Sequence, residues 1–283
     1  MQSIIRFLIL SLCLSTFGCA FKSVKRSKNI SYMQADSKMN LPEKELNIFA
    51  PRKAGNYPVL IFYYGGSWKS GKKETYSFLG NRLARRGVVA VIVDYPLNPE
   101  YQVPTMEIAA TKAVIWTAEN IQEYGGNPDQ IFVSGHSAGG HLASLVAVKD
   151  SNFEKLGKEN PLKGAILMDP AGLDMYGYLM ETSEGEGKKY TNAFTQDPEI
   201  WKQSSPIFFL DQGQIPMLIL EGEETYPSIR AGRERFMKVV EEKNLDIKLE
   251  IYPKKKHIPM ITQFVWTWSR GYDDLLGFIM KRK

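Results

Sequence analysis

Cysteine and histidine are scarce in this chain, which has two cysteines, Cys13 and Cys19, and three histidines among 283 residues. Both cysteines lie within the first twenty residues, so a domain built from the rest of the chain has no disulfide bond and depends on packing for its stability. No His, Cys and Asp cluster has the spacing of a metal site. We therefore expect neither a metal ion nor an organic cofactor.

Charge of one sign is also lacking. The chain has 36 Lys and Arg against 31 Asp and Glu, a formal net charge of +5, and 43% of its residues are hydrophobic. The basic residues are scattered apart from two short runs, at 22–28 and 254–256. Scattered cations do not form the basic stripe that nucleic acids require, so we expect a globular protein with no nucleic-acid partner.

A hydrophobic run long enough to span a membrane is missing as well. The apolar segment from Phe7 to Phe17 is too short, because a spanning helix needs about 20 apolar residues. Its position predicts a secretory leader over residues 1–18. Ser15–Cys19 resembles a bacterial lipobox, which implies cleavage before Cys19 and a lipid anchor on it; ordinary cleavage after Ala20 is the alternative. Either outcome predicts export, to the periplasmic side of a bacterial envelope or beyond it.

Residues 19–40 are polar and basic, and we expect them to be a mobile tether. From residue 41 onward, short β-branched runs alternate with amphipathic segments, which predicts one α/β domain, 41–283, with a mostly parallel sheet and helices on both faces. The predicted strands are Leu46–Phe49, Val59–Tyr64, Val88–Asp94, Ile131–Ser134, Ala165–Met168, Met217–Leu220 and Ile247–Tyr252, and the predicted helices cover 72–86, 104–124, 138–148, 228–243 and 262–280.

The most specific chemical motif is Gly135-His-Ser-Ala-Gly139, directly after a predicted strand and before a predicted helix. A nucleophile elbow has this context: the serine occupies a sharp turn, and small neighbours let the backbone pass closely. Upstream, Tyr64-Gly-Gly-Ser-Trp68 follows another strand. We expect the amides of Gly65, Gly66 and Ala138 to form an oxyanion hole for a reaction at Ser137.

These motifs resemble the α/β-hydrolase fold, esterase and lipase branch. The resemblance also includes Val93-Asp-Tyr-Pro-Leu-Asn-Pro and Tyr124-Gly-Gly-Asn-Pro-Asp-Gln-Ile, in the order of that branch. The chain is similar to small carboxylesterases that include feruloyl-esterase-like proteins, kynurenine formamidases and isoprenylcysteine methylesterases. This implies the α/β-hydrolase fold and a serine hydrolase of small-molecule esters. Tyr64 departs from the pattern, which usually has His before Gly-Gly.

Three histidines compete for the role of the base. His136 and His141 flank Ser137 in the elbow and its helix, so packing roles are expected for both. His257 follows the last predicted strand, where the resemblance places the base in the chain order Ser, acid, His. We therefore expect His257 to accept the Ser137 proton.

Several residues are candidates for the acid. The resemblance places it after the strand Met217–Leu220, often three residues after the glycine, where this chain has Thr225. A threonine cannot hold a negative charge, so we expect Glu224, with Glu223, Glu221 or no strong acid as alternatives.

Residues 173–209, between two predicted strands, are expected to form an insertion that covers the site. Its residues Tyr176, Tyr178, Met180, Phe194 and Trp201 either wall a pocket for the acyl group or pack as ordinary core. The aromatic residues Phe264, Trp266 and Trp268 are expected in the core.

A serine carboxylesterase acting on small or medium acyl groups is the leading function. An amide hydrolase and a catalytically silent binding protein are the alternatives.

Overall fold

The structure is a computed structural model that describes residues 23–182, 184–211 and 214–282. The predicted leader, residues 1–18, and the lipidation site Cys19 lie outside the described residues. Among the helices that are described, none is long and apolar enough to cross a bilayer.

Eight strands form one sheet with the order β1-β2-β4-β3-β5-β6-β7-β8. From β3 onward every neighbouring pair is parallel, whereas β1 pairs antiparallel with β2 and β2 antiparallel with β4. All seven predicted strands are present. The eight are β1 Val24–Met33, β2 Lys44–Pro51, β3 Tyr57–Tyr63, β4 Val89–Val93, β5 Gly126–His136, β6 Leu162–Met168, β7 Met217–Glu224 and β8 Ile247–Lys256.

Helices connect the parallel strands and pack on both faces of the sheet, so the predicted fold class is confirmed. Strands β3 and β4 are buried along almost their whole length. Their unbroken apolar runs predicted this, because central parallel strands are covered on both faces. The helices are α1 Ser77–Arg85, α2 Val103–Asn120, α3 Ala138–Val148, α4 Asp150–Lys155, α5 Met175–Thr182, α6 Lys188–Phe194, α7 Pro198–Gln203, α8 Pro227–Glu242, α9 His257–Thr262 and α10 Arg270–Met280.

The expected tether over residues 19–40 is wrong for most of its described length, because Val24–Met33 forms β1 at the sheet edge. Most of its side chains are exposed or half-buried, and only its two ends are buried, among them Tyr32 and Met33. The Tyr32 hydroxyl donates to the Asp94 carbonyl at 2.8 Å. An edge strand with a polar outer face gives little hydrophobic alternation, so the sequence pattern did not reveal it.

The predicted closing helix, 262–280, is also corrected. The chain forms α9, a 3₁₀ turn at Gln263–Val265 and then α10, with a non-helical stretch before Ser269 caps α10. Of the three aromatic residues expected in the core, Phe264 is buried, whereas Trp266 and Trp268 are exposed and stack on each other with ring centroids 5.4 Å apart.

The carboxyl ends of the parallel strands meet at one edge of the sheet, which is where ligands bind in open α/β folds. The loops after β3, β5 and β6 converge there, together with the start of α9. The insertion, here called the cap segment (residues 173–209, with Ser183 outside the described residues), contains α5, α6, α7 and a 3₁₀ turn at Pro206–Phe209. It supplies one wall of the cavity at this edge.

Candidate active site

Ser137 lies at a sharp turn between β5 and α3, as the elbow motif predicts. Its backbone has φ 55° and ψ −121°, a conformation that L-residues adopt rarely. The two flanking glycines explain the motif. A Cβ on Gly135 would lie 2.2 Å from the Gly139 carbonyl oxygen, and a Cβ on Gly139 would lie 2.1 Å from the Tyr63 carbonyl oxygen. The serine is half-buried and faces the cavity.

His257 stands beside Ser137, as the sequence predicts. Its Nε2 is 2.9 Å from the Ser137 Oγ, and its side chain is largely buried. The residue begins α9, directly after β8, so the end of the sheet fixes its position. This distance lies within the hydrogen-bond reach that a nucleophile and its base require.

The carboxylate beside His257 belongs to Asp169, and not to Glu224. His257 Nδ1 lies 2.5 Å from the Asp169 Oδ2. Asp169 immediately follows β6, is fully buried, and also accepts hydrogen bonds from the Gly222 amide at 3.0 Å and the Thr225 hydroxyl at 2.5 Å. Asp169 therefore has hydrogen-bond donors on both oxygens, and one of these donors is His257.

The three glutamates proposed as the acid point elsewhere. Glu224 is exposed on β7, opposite Lys256 of β8. Glu223 is exposed, and its carboxylate accepts the Lys254 amide at 2.7 Å. Glu221 is buried and held by Arg233 through contacts of 3.0 to 3.2 Å. Burial raises the pKa of Glu221, and the ion pair with Arg233 opposes that shift. The prediction of Glu224 is thereby corrected.

The expectation that the acid follows β7 is wrong. The β7 turn lies beside the acid and supplies two of its donors, Gly222 and Thr225. The acid itself comes from the neighbouring strand, whose last residue, Met168, precedes Asp169. A signal was present in the sequence, because an aspartate directly after a buried parallel strand lies at the same sheet edge as the elbow serine.

The expected oxyanion donors are close to the nucleophile. Gly65 and Gly66 line the cavity with Ser137, and a Cβ on Gly65 would lie 3.1 Å from the Ser137 Cβ. Gly66 has φ +141°, which only glycine adopts easily. The amide of Ala138 is the first of α3, so it has no acceptor within the helix. The two glycines and the first residue of α3 therefore lie beside Ser137.

Tyr64, the departure from the esterase pattern, fills the space beneath the oxyanion loop. Its ring is buried and stacks on Tyr95 and Tyr76, with ring centroids 4.7 and 6.0 Å apart. The Tyr95 hydroxyl donates to the Tyr64 carbonyl at 2.8 Å. Burial, with Asp94 nearby, raises the pKa of Tyr64 well above its usual value, so the phenol stays neutral.

A cavity of about 380 Å³ opens beside Ser137 and His257. Its walls combine the oxyanion loop, the cap segment and the start of α8. Of the five cap residues considered as pocket walls, Tyr178 lines it; Phe194 and Trp201 are buried elsewhere, Met180 is exposed, and Tyr176 packs against Phe208. Lining aromatic residues that the sequence analysis did not name as pocket walls are Trp68, Tyr76, Tyr190 and Tyr226.

The two other histidines are buried, as expected. The His136 Nε2 is 3.1 Å from the His257 carbonyl, and burial, together with the neighbouring His257, lowers the pKa of His136 to about 4. Burial likewise lowers the pKa of His141 to about 4, against the opposing effect of the hydrogen bond to the Ser204 carbonyl. Both rings are therefore neutral near pH 7. Within the described ranges, no three His, Cys, Asp or Glu side chains are grouped to hold a metal ion.

Comparison with known proteins identifies the family of this chain. A family model described as BD-FAE matches residues 46–226, which is more than half of the chain. The chain belongs to the BD-FAE family. The match contains the elbow, the oxyanion loop and Asp169, but it ends before His257.

Relatives of this BD-FAE chain include a probable isoprenylcysteine alpha-carbonyl methylesterase of Oryza sativa subsp. japonica, 28% identical over 241 residues, with 78% of this chain and 57% of the relative covered. A kynurenine formamidase of Danio rerio is 25% identical over 254 residues, and the match covers 87% of this chain and 82% of the formamidase. The chain spans about half the length of the plant methylesterases that it matches, 57% and 50% for two of them.

The fold is shared with solved esterase structures. Esterase B from Lactobacillus rhamnosis matches with a TM-score of 0.76 at 19% identity, covering 91% of this chain and 87% of the esterase. The α/β-hydrolase fold expected from the sequence is confirmed.

Proposed function

We propose that this BD-FAE protein is a serine carboxylesterase whose catalytic groups are Ser137, His257 and Asp169. The observation that carries the proposal is the continuous contact from the Ser137 Oγ to His257 Nε2, and from His257 Nδ1 to the Asp169 carboxylate. The esterases among the relatives and structural neighbours support the reaction class. The completed set of three side chains argues against a silent binding protein.

Catalysis follows from these positions. The Ser137 oxygen attacks the ester carbonyl carbon while its proton passes to His257 Nε2, and Asp169 stabilises the imidazolium that forms. The carbonyl π electrons move to the oxygen, which the Gly65, Gly66 and Ala138 amides stabilise. Collapse expels the alcohol with the proton from His257 and leaves an acyl group on Ser137. Water, deprotonated by His257, then releases the carboxylic acid and restores the serine.

The cavity favours uncharged esters with small or medium acyl groups. None of its described lining residues is Lys or Arg, so a carboxylate or phosphate on the substrate would find no cationic partner there. The carboxylate of Asp174 at its wall is engaged by Arg235 and the Gly177 amide. Tyrosine rings, such as those of Tyr178 and Tyr190, offer apolar faces with hydroxyl groups.

Hydrolysis of a nitrophenyl ester series from acetate to decanoate tests the proposal, with Ser137→Ala as the matched control and a fluorophosphonate probe for the serine. We expect turnover and labelling of the wild-type chain, both abolished in the variant, with a preference for the shorter acyl groups. A folded chain that neither turns over any ester nor reacts with the probe would overturn the proposal.

Amide hydrolysis is the second candidate, favoured by the similarity to the Danio rerio formamidase over most of both chains. The same three side chains serve either reaction, because both pass through a tetrahedral oxyanion. N-formylkynurenine and a matched formate ester, assayed side by side, separate the two. A higher kcat/KM for the formamide would make this the leading function.

We also propose that the chain is exported and carries a lipid on Cys19, on the basis of the apolar run before it and the Ser15–Cys19 motif. Metabolic labelling with a fatty acid tests this proposal. Label on the wild-type chain and its loss in Cys19→Ser are expected; an exported but unlabelled chain would indicate ordinary leader cleavage instead.

A further inference from the structure

The oxyanion loop, residues 65–68, contains two consecutive non-glycine residues in the left-handed region. Ser67 has φ 53° and Trp68 has φ 59°. Such a conformation costs about 1 to 3 kcal/mol for each residue and persists only where surrounding contacts determine it. Both residues directly follow Gly65 and Gly66. Whatever holds Trp68 in this conformation therefore also holds the amides proposed to stabilise the oxyanion.

The contacts of Trp68 are specific. Its indole Nε1 donates to His141 Nδ1 at 3.2 Å, and its carbonyl accepts from the Asn98 amide at 2.8 Å. The indole is 2% exposed and meets the rings of His141 and Phe194 nearly edge-on, with centroids 5.3 and 4.8 Å apart. Among the described residues, only His141 combines ring packing on Trp68 with a hydrogen bond to its side chain.

His141 is arranged to accept this hydrogen bond. Its Nε2 lies 2.7 Å from the Ser204 carbonyl, and a carbonyl oxygen can only accept. The proton of the neutral ring is therefore on Nε2, and Nδ1 presents its lone pair to Trp68. The lowered pKa of His141 supports the neutral form near pH 7.

The same imidazole joins three parts of the site. His141 belongs to α3, the helix that starts at the nucleophile; Trp68 belongs to the oxyanion loop; and Ser204 belongs to the cap segment. Phe194, also from the cap segment, packs on both rings. One buried side chain therefore contacts the oxyanion loop and the cap segment from the helix that starts at Ser137.

We propose that His141 is a positioning residue that holds the oxyanion loop in register with Ser137 by accepting the Trp68 hydrogen bond. This inference rests on the proposed esterase function. Oxyanion contacts form in the transition state and not with bound ester, so loss of the Trp68 hydrogen bond should lower kcat and leave KM nearly unchanged. A role in packing alone would instead lower stability without a selective loss of kcat.

Two substitutions of His141 separate its two hydrogen bonds. His141→Asn places an amide oxygen near the position of Nδ1 and can still accept from Trp68. His141→Gln places an amide nitrogen near the position of Nε2, so it keeps the Ser204 contact and loses the acceptor. Trp68→Phe removes the donor. Trp201→Phe is its matched control, because Trp201 is also buried, donates to the Thr195 carbonyl, and is not among the described cavity residues.

We expect His141→Gln and Trp68→Phe to lower kcat about 10- to 100-fold. This decrease does not exceed the one caused by removing a complete oxyanion donor, because the donors are displaced and not deleted. His141→Asn should lose less than fivefold in kcat and Trp201→Phe less than twofold. KM should stay within threefold in the two His141 variants and in Trp201→Phe, whereas Trp68→Phe also changes the cavity wall and is compared by kcat alone. Inhibition by an alkyl boronic acid, whose adduct with Ser137 mimics the tetrahedral intermediate, should weaken in parallel with kcat. Circular dichroism and thermal unfolding verify the fold of each variant.

If His141→Gln and His141→Asn lose kcat equally, or if both retain it, the positioning role is refuted while the esterase function stands. If the wild-type chain has no Ser137-dependent turnover, the proposed function fails first. Should Trp68→Phe not fold, the two His141 variants still decide the question, because they leave the indole in place.

Discussion

Replacing Asp169 by Asn should nearly abolish turnover, because the carboxylate is held by donors on both oxygens. The Gly222 amide donates to Oδ1, and the Thr225 hydroxyl donates to Oδ2, the oxygen that also contacts His257. An asparagine has only one acceptor atom. If its oxygen meets the Gly222 amide, its NH₂ group faces His257 Nδ1.

An NH₂ group at that position stabilises the tautomer of His257 with its proton on Nε2. This nitrogen could then no longer accept the Ser137 proton, 2.9 Å away. In a serine protease triad the same change lowers kcat about 10⁴-fold for this reason. We expect a loss of about 10³- to 10⁴-fold here, equivalent to roughly 4 to 5.5 kcal/mol of transition-state stabilisation.

The assay is kcat for a short-chain nitrophenyl ester, with Glu224→Gln and Glu223→Gln as matched acid-to-amide controls. Both glutamates are exposed, so we expect their variants to stay within about twofold of the wild-type chain. A 100-fold loss in Glu224→Gln, or a loss of less than tenfold in a folded Asp169→Asn variant, would refute the assignment of the acid.

The remaining predictions concern the surroundings of the triad. Thr225→Val removes one hydrogen-bond donor to Asp169 and should lower kcat about 3- to 30-fold. Thr225→Ser keeps a hydroxyl and should have a kcat close to that of the wild-type chain. Equal kcat values for the two variants would contradict a role for the hydroxyl. Gly139→Ala should prevent folding or lower the free energy of unfolding by more than about 3 kcal/mol, since its Cβ would meet the Tyr63 carbonyl oxygen at 2.1 Å; an unchanged denaturation midpoint would refute this. The buried His136 and His141, with pKa values lowered to about 4, stay neutral in the folded chain but take up protons when unfolded. Stability should therefore be complete above pH 6.5 and fall as pH decreases from 6.5 to 4, by roughly 3 kcal/mol for each histidine, and urea unfolding at pH 7 and pH 4.5 measures it.

The sequence was sufficient to predict the fold class and two of the three proposed catalytic side chains. The apolar runs predicted seven of the eight strands because buried parallel strands are hydrophobic along their whole length. The elbow around Ser137 was recognisable from its two glycines. Each lies where a Cβ would clash with backbone, in the same turn for Gly135 and in the neighbouring strand β3 for Gly139. His257 followed from the scarcity of histidine and its position after the last strand.

Two segments were predicted wrongly because their residue types do not show which side chains become buried. β1 is polar on its outer face and forms only because β2 offers it an open edge, so residues 24–33 resembled a tether. The stacked, exposed Trp266 and Trp268 were expected in the core because aromatic content alone does not tell which way a side chain points.

By itself, the sequence predicted the α/β architecture from its periodicity and the elbow around Ser137 from residues adjacent in the chain. Its resemblance to the esterase branch added Gly65, Gly66 and His257 as candidate site residues. Only the tertiary structure decided the acid and the walls of the cavity. Asp169 is 88 residues from His257 along the chain, and its donors Gly222 and Thr225 lie 53 and 56 residues after Asp169. These groups meet because the sheet places the ends of β6, β7 and β8 side by side, and strand order is a property of the fold that no local pattern encodes.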